Sequence, residues 1–188
     1  CAIAITANPD GSTTDIDTGD KYAANSLYLL SPAGQSGNLV ATPFTTMVAL
    51  LVESSGGSLD LASAIQEVAT QFGVSTSVVT GDFVALDDVK AALKASALLP
   101  SLPVTAAEFA AVAADDSATE ALITKLENIN TAVDAQIEEL ENSGVDLSTV
   151  VIDVTVADDG TVTTVVVDKE TGEPTGATGG TSGGGTGN

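Results

Sequence analysis

Apolar side chains recur at every third or fourth position along residues 117–143, the longest stretch of the chain with a single period. On an α-helix this spacing places them on one stripe, so the sequence predicts a long amphipathic helix. Ser117 and Glu120 have the spacing of a capping box at its start, and Gly144 is placed to end it. Such a helix is roughly 40 Å long, enough to support shorter elements. The stripe consists of Leu122, Leu126, Ile129, Val133, Ile137 and Leu140.

Shorter apolar stretches of the same period precede this helix. They predict helices at 43–54, 58–72, 87–98 and 105–114, with one further helical turn at 75–80. Thr42 and Pro43 are placed as the N-cap and first residue of the earliest helix. Residues 38–144 therefore predict a bundle of about five helices with short connections.

After Gly144 the period changes from helical spacing to strict alternation. Residues 149–156 and 161–168 are rich in valine and flank Asp158-Asp159-Gly160, a strong signal for a β-hairpin. With Asp159 and Gly160 as a two-residue turn, Val154 faces Val165 and Ile152 faces Val167, so one face of the hairpin is almost entirely aliphatic. That expected acceptor face comprises Val150, Ile152, Val154, Val165 and Val167. Two strands alone are marginal in water, so we expect another strand or the helices to cover them.

The N-terminal residues Ala2, Ile3, Ala4, Ile5 and Thr6 form a short alternating run that predicts a strand. A turn sequence, Asn8-Pro9-Asp10-Gly11, ends it, and residues 22–30 fit either a helix or a strand. A terminal strand needs a partner, and the hairpin of the same molecule or of a neighbouring copy could supply it. The sequence leaves both alternatives open.

These elements predict an α+β fold, a helical bundle with a small antiparallel sheet. We expect one domain over residues 1–171, with the strand and a polar loop at 1–37, the helical region at 38–144 and the hairpin at 148–168. Residues 172–188 are rich in Gly, Thr and Ser and are typical of a disordered tail.

The charge and composition of the chain argue against several classes of partner and activity. Five lysines, no arginine and 26 acidic residues give a net charge of −21, which argues against nucleic acid and anionic membrane surfaces as partners. The chain has no histidine and a single cysteine, so zinc clusters and intramolecular disulfides are excluded. Adjacent acids such as Asp87-Asp88 and Asp115-Asp116 are best interpreted as helix caps. We find no catalytic constellation and predict a protein that is not an enzyme.

Only one segment of the sequence suggests a cofactor, an acidic loop that could bind Ca²⁺. Asp15, Asp17 and Asp20 lie close together in the polar segment 10–20, and several carboxylates in one loop suit Ca²⁺. The residue order of an EF-hand is absent, and an ordinary solvated turn is the competing interpretation. No other cofactor is predicted.

Cys1 is the first residue of the sequence given. Bacterial lipoproteins are cut immediately before a cysteine that is then acylated, so one hypothesis is an exported protein with a lipid on Cys1. That lipid would be its only link to a membrane. The alternatives are an unmodified cysteine and one that links two subunits.

The stretch Thr42-Pro43-Phe44-Thr45-Thr46-Met47 resembles the TPLTTL helix start that recurs in bacterial surface lipoproteins and large adhesins. The resemblance covers residues 38–90, and Phe44 and Met47 depart from the usual leucines. It implies a cell-surface context and no particular activity. The threonines are expected to act as capping and packing groups.

Two functions from different classes follow from these observations. The first is an extracellular structural subunit that assembles with copies of itself into a pilus-like surface filament, with residues 2–6 as the strand that crosses between subunits. The second is a monomeric, lipid-anchored surface lipoprotein that acts as an adhesion or ligand-binding module.

Overall fold

The computed structural model describes residues 2–14, 21–34, 39–83 and 85–178. The fold is α+β, as predicted, with six α-helices and two antiparallel sheets among these residues. The helices are α1 Pro43–Ser54, α2 Leu61–Phe72, α3 Thr76–Thr80, α4 Val89–Leu98, α5 Ala106–Ala113 and α6 Asp116–Asn142. The strands are β1 Ile3–Thr6, β2 Tyr28–Ser31, β3 Val150–Val156, β4 Val162–Asp168 and β5 Pro174–Thr178.

The chain divides into two compact units. The first comprises Cys1–Asp82 with Ser101–Leu122, and the second comprises Phe83–Pro100 with Ile123–Asn188. The predicted single domain over residues 1–171 stays a prediction.

Helix α1 is the centre of the first unit. Its N-terminus is a reciprocal capping box in which the side chain of Thr42 accepts from the N–H of Thr45 and the side chain of Thr45 accepts from the N–H of Thr42. The capping role expected for these threonines is therefore confirmed. Phe44, which is 0% exposed, meets the ring of Phe72 edge-on in α2, with centroids 6.4 Å apart. A second apolar cluster in this unit joins Leu30, Ala49, Leu50 and Phe109.

The second unit is built on most of α6. The predicted stripe is confirmed at five of its six positions, because Leu126, Ile129, Val133, Ile137 and Leu140 are all buried. The sixth, Leu122, is half-buried and packs against the apolar cluster of the first unit. The predicted capping box of Ser117 and Glu120 is wrong, since α6 begins at Asp116 and Ser117 lies inside the helix. Its first amides are capped by Asp115, whose Oδ1 accepts from the N–H groups of Ser117 and Ala118. Strand β4 is tied to α6 by a buried hydrogen bond of 3.1 Å from Thr164 Oγ1 to Gln136 Oε1.

The hairpin of β3 and β4 has a different register from the predicted one. Ala157 pairs with Thr161, so the connection is a three-residue loop that ends at Gly160 with a φ of 82°. As a result Ile152 lies opposite Val166 and Val154 opposite Thr164. A shift of one residue exchanges the two faces of a strand. Val165 and Val167 therefore lie on the opposite face from Val150, Ile152 and Val154, and the predicted aliphatic acceptor face is wrong.

Gly160 is the residue on which this register depends. A Cβ at this position would have nothing within 4 Å, so replacing Gly160 with alanine costs only the strain of the left-handed backbone. We expect Gly160→Ala to lower the free energy of unfolding by about 1 kcal/mol in chemical denaturation. Gly160→Asn is the control, because asparagine tolerates this conformation better and should cost less. Equal losses for both variants would contradict this explanation.

A third strand completes the sheet of the second unit. Strand β5 pairs antiparallel with β4, with an irregularity between Val165 and Val167, so the hairpin is covered by the segment that follows it and not by Ala2–Thr6. The predicted tail is corrected for residues 174–178, which form this strand. Pro174 begins the strand and Gly176 has a φ of 84°, features that composition assigns to a loop but that an edge strand tolerates. Residues 179–188 lie outside the described residues.

Candidate assembly surface

Strand β1 is the most exposed element of the first unit. All four of its residues are exposed, and its two large apolar side chains, Ile3 and Ile5, are 43% and 46% exposed. Its partner is β2 of the same chain, with Ile3 opposite Ser31 and Ile5 opposite Leu29. The N-terminal strand thus pairs within its own unit, so the alternative in which it completes the C-terminal hairpin of the same molecule is wrong. Pairing with a neighbouring copy stays a prediction.

The two strands of this ribbon are held very differently. Strand β2 is anchored in the core, because Leu30 and Ser31 are buried and the ring of Tyr28 packs against Phe109 with centroids 5.8 Å apart. The N–H of Leu30 also donates to Thr46 Oγ1 of α1 at 2.9 Å. Strand β1 has no buried side chain of its own, and the first buried residue after it is Ala7. Hydrogen bonds of the main chain are therefore its principal attachment.

The direction of the Leu30 N–H also identifies the outer edge of β1. Because this N–H points to α1, the opposing pair of Leu30 and Ala4 is one that exchanges no main-chain hydrogen bonds. By the alternation of an antiparallel pair, the N–H and C=O groups of Ala4 and Thr6 point away from β2. Within the described part of the chain, no strand pairs with this outer edge.

A polar turn follows β1. Asp10 accepts from the N–H of Ser12 at 2.9 Å, and hydrogen bonds from Ser12 lower the pKa of Asp10. An antiparallel bridge between Thr14 and Lys21 brings together the two ends of the predicted acidic loop. Asp15, Asp17 and Asp20 themselves lie outside the described residues, as does Cys1. Calcium binding and acylation of Cys1 both stay predictions.

The sheet of the second unit offers two edges, β3 and β5. Strand β5 carries Pro174 and a glycine in the left-handed region, devices that discourage further pairing. Strand β3 is a regular seven-residue strand on which Asp153 is exposed. The half-buried residues Val151, Val165 and Val167 share the other face of the sheet. The residues predicted to form one acceptor surface are thus divided between two faces.

Most acidic residues whose contacts are described act as caps and turn acceptors. Asp88 caps α4 by accepting from the N–H of Ala91 at 3.0 Å, as predicted for the paired acids at helix starts. Asp60 caps α2, and hydrogen bonds from Ser63 lower the pKa of the Asp60 carboxyl. In the hairpin loop, the N–H of Thr161 lowers the pKa of Asp159 in the same way. These carboxylates are explained by local structure without a reaction.

A shallow depression lies on the exposed face of α2. Its lining includes one ionisable group, Glu67, among small and amide side chains. Since this lining holds one carboxylate and no other ionisable group, it does not itself supply an acid–base pair. Among the described residues, no group of three or more His, Cys, Asp or Glu side chains could hold a metal ion.

Comparison of the chain with models of known protein families, with curated proteins and with solved structures finds no match. The resemblance of residues 42–47 to the helix start of surface lipoproteins therefore stays a prediction. In the described part of the chain, no single helix is long and apolar enough to cross a membrane, whereas one bent pair of helices, α4 with its following turn and α5, reaches the threshold by length and composition.

Proposed function

We propose that this protein is a non-enzymatic extracellular subunit that assembles with copies of itself into a cell-surface filament by strand addition. The observation that carries the proposal is β1, an exposed strand that shows Ile3 and Ile5 to solvent and is held mainly by main-chain hydrogen bonds. In this assembly β1 of one copy pairs with the anchored strand β2 of the next. The acceptor is therefore β2 and no longer the C-terminal hairpin.

Exchange of β1 between copies costs little, because the main-chain hydrogen bonds to β2 are nearly all that it breaks. Each main-chain hydrogen bond contributes about 1 kcal/mol net, and the same bonds form again when β1 of another copy takes the same place. Since each subunit gives its strand to the next and receives one from the previous copy, the contact is heterologous and can extend into an open chain.

The net charge sets the conditions for assembly. Copies with a charge of −21 repel one another, and this repulsion is screened over about 8 Å at physiological ionic strength. Electron microscopy should therefore be done in buffer of physiological salt.

A disulfide between β1 and β2 of the same chain is the decisive test, because it prevents β1 from pairing with another copy. Ile3 and Ser31 lie opposite each other, at a separation of Cα atoms of about 5.5 Å that suits a disulfide. In the triple variant Cys1→Ser, Ile3→Cys, Ser31→Cys, the oxidised protein should remain monomeric because β1 cannot leave. The same protein after reduction should form filaments, so each sample is its own control.

Deleting residues 2–6, which leaves the buried Ala7 in place, should likewise give a folded subunit that does not assemble. Filaments of normal appearance from the oxidised variant or from the deletion would refute strand exchange. Particles of monomer size from the unmodified chain, with an acyl increment in the mass of Cys1, would instead favour the monomeric surface lipoprotein.

A further inference from the structure

Three polar side chains of the second unit converge between α4 and α6. The side chain of Lys94 is 6% exposed, and its Nζ lies 2.7 Å from Asp134 Oδ1. Asn130, one helical turn before Asp134, donates from Nδ2 to Asp134 Oδ2 at 3.1 Å. One carboxylate therefore holds the lysine nitrogen with one oxygen and the asparagine amide nitrogen with the other.

The asparagine in this cluster is under-satisfied. Asn130 is buried, and its Oδ1 has no hydrogen-bond partner among the described residues. Turning the amide over would not relieve this, because it would place the carbonyl oxygen against the carboxylate of Asp134. A buried polar atom without a partner needs an explanation, and a reactive role is one.

A second ion pair on the same two helices provides a comparison. Lys90 Nζ and Glu141 Oε1 are 2.6 Å apart, but both side chains are about half exposed, at 51% and 45%. The Lys94 cluster differs because its amine is buried and an amide shares its carboxylate.

We propose that Lys94 and Asn130 are joined by an amide bond between their side chains, with Asp134 as the group that carries the proton. Asp134 Oδ1 takes a proton from the Lys94 ammonium, and the free electron pair of Nζ attacks Asn130 Cγ. The carboxyl group of Asp134, now protonated, turns and gives this proton to Nδ2. The Cγ–Nδ2 bond breaks, and its nitrogen departs with the electron pair.

The atoms and charges of this step balance without an oxidant or a co-reactant. Of the three protons on Lys94 Nζ, one stays on the new amide, one moves through Asp134 and one leaves with the released ammonia as an ammonium ion. The product replaces a buried cation with a neutral amide, which removes the cost of keeping that charge away from water. The carboxylate side chain of Asp134 is 47% exposed, so the released ammonium has a route to solvent.

The bond would act as the cross-link that this chain cannot make by other means. With one cysteine the chain cannot form an intramolecular disulfide. A bond between positions 94 and 130 closes a loop in the unfolded chain and limits its freedom, as a disulfide does.

The test is mass spectrometry of the full chain after purification. We expect an intact mass lower than the sequence mass by one ammonia. After tryptic digestion, cleavage at Lys94 should be lost, and peptide 91–125 should be recovered joined to peptide 126–169. A folded protein of full mass, or an ammonia loss without this joined peptide, would overturn the proposal.

Single substitutions test the roles of Lys94 and Asn130 as the bonded residues and of Asp134 as the proton carrier. Lys94→Met and Asn130→Ala should restore the full mass because each removes one bonded partner. Asp134→Ala should also restore it, with Lys94 and Asn130 both present and with circular dichroism confirming the fold. Lys90→Ala is the matched control on the same helix and should keep the loss of ammonia. Joined peptide at the wild-type level in folded Asp134→Ala protein would refute the role of Asp134.

Discussion

Replacing Phe44 with alanine is expected to lower the free energy of unfolding by about 3–5 kcal/mol. The side chain is fully buried at the start of α1 and meets Phe72 of α2 edge-on. Alanine would remove this contact and leave a cavity that the neighbouring buried residues, Met47 and Val48 among them, can fill only in part. Chemical denaturation, followed by circular dichroism, measures the loss.

Leucine is the informative control at this position. Phe44→Leu keeps an apolar side chain of similar reach and should cost less than about 1.5 kcal/mol. It also introduces the residue that the TPLTTL helix start carries there. If the alanine variant lost no more stability than the leucine variant, Phe44 would not be the packing centre that its burial indicates.

The elements that the sequence predicted correctly are those determined by near neighbours in the chain. The buried stripe of α6 follows from spacing alone, and its burial confirms Leu126, Ile129, Val133, Ile137 and Leu140. The start of α1 follows from Thr42, Pro43 and Thr45, three positions within four residues. Local signals of this kind survive folding because the backbone groups they satisfy belong to the same segment.

The hairpin shows where local signals are insufficient. Asp159-Gly160 correctly predicts a turn, but two-residue and three-residue loops both suit this dipeptide. Every valine in β3 and β4 is acceptable on either face, so composition did not decide between the two registers. The buried contact of Thr164 with Gln136 accompanies the observed register, and Thr164 is a polar residue that a prediction based on apolar faces assigns to the outside.

The pairing of β1 could not be predicted for a related reason. Its partner β2, with sequence Tyr-Leu-Leu-Ser, lacks a clear alternation and fits either a strand or a helix. What fixes β2 is a tertiary contact, the hydroxyl of Thr46 that accepts from the N–H of Leu30. The sequence identified the candidate strand of the assembly surface, but not the strand that it meets.

The cluster around Lys94 had no sequence signal. Lys94 occurs in the Ala-rich segment of α4, where a lysine is normally solvated, and Asp134 belongs to the acidic side of α6. The sequence alone showed only that Asn130 and Asp134 are four residues apart and so are neighbours on one face of a helix. The packing of α4 and α6 within the second unit brings the lysine to them.

Replacing Thr46 with valine is expected to lower the free energy of unfolding by about 1–3 kcal/mol, the cost of leaving a buried main-chain donor unpaired. Thr46 is 1% exposed, and its Oγ1 donates to Thr42 O at 2.8 Å while it accepts from the N–H of Leu30 at 2.9 Å. Valine keeps the shape of threonine but removes both bonds. Because the bond to Leu30 anchors β2, hydrogen exchange should show faster exchange of the Leu30 amide.

Two controls separate the anchoring of β2 from the capping of α1. Thr46→Ser keeps the hydroxyl, so the Leu30 amide should stay protected and only the packing of one methyl group, about 1 kcal/mol, should be lost. Thr45→Val removes the reciprocal cap at Thr42 but leaves the Leu30 bond, so it should lower stability without faster exchange in β2. Equal exchange of the Leu30 amide in all three variants would mean that Thr46 does not hold the strand. If Thr46→Val alone accelerates it, the second threonine of this helix start holds the acceptor strand on which assembly is proposed to depend.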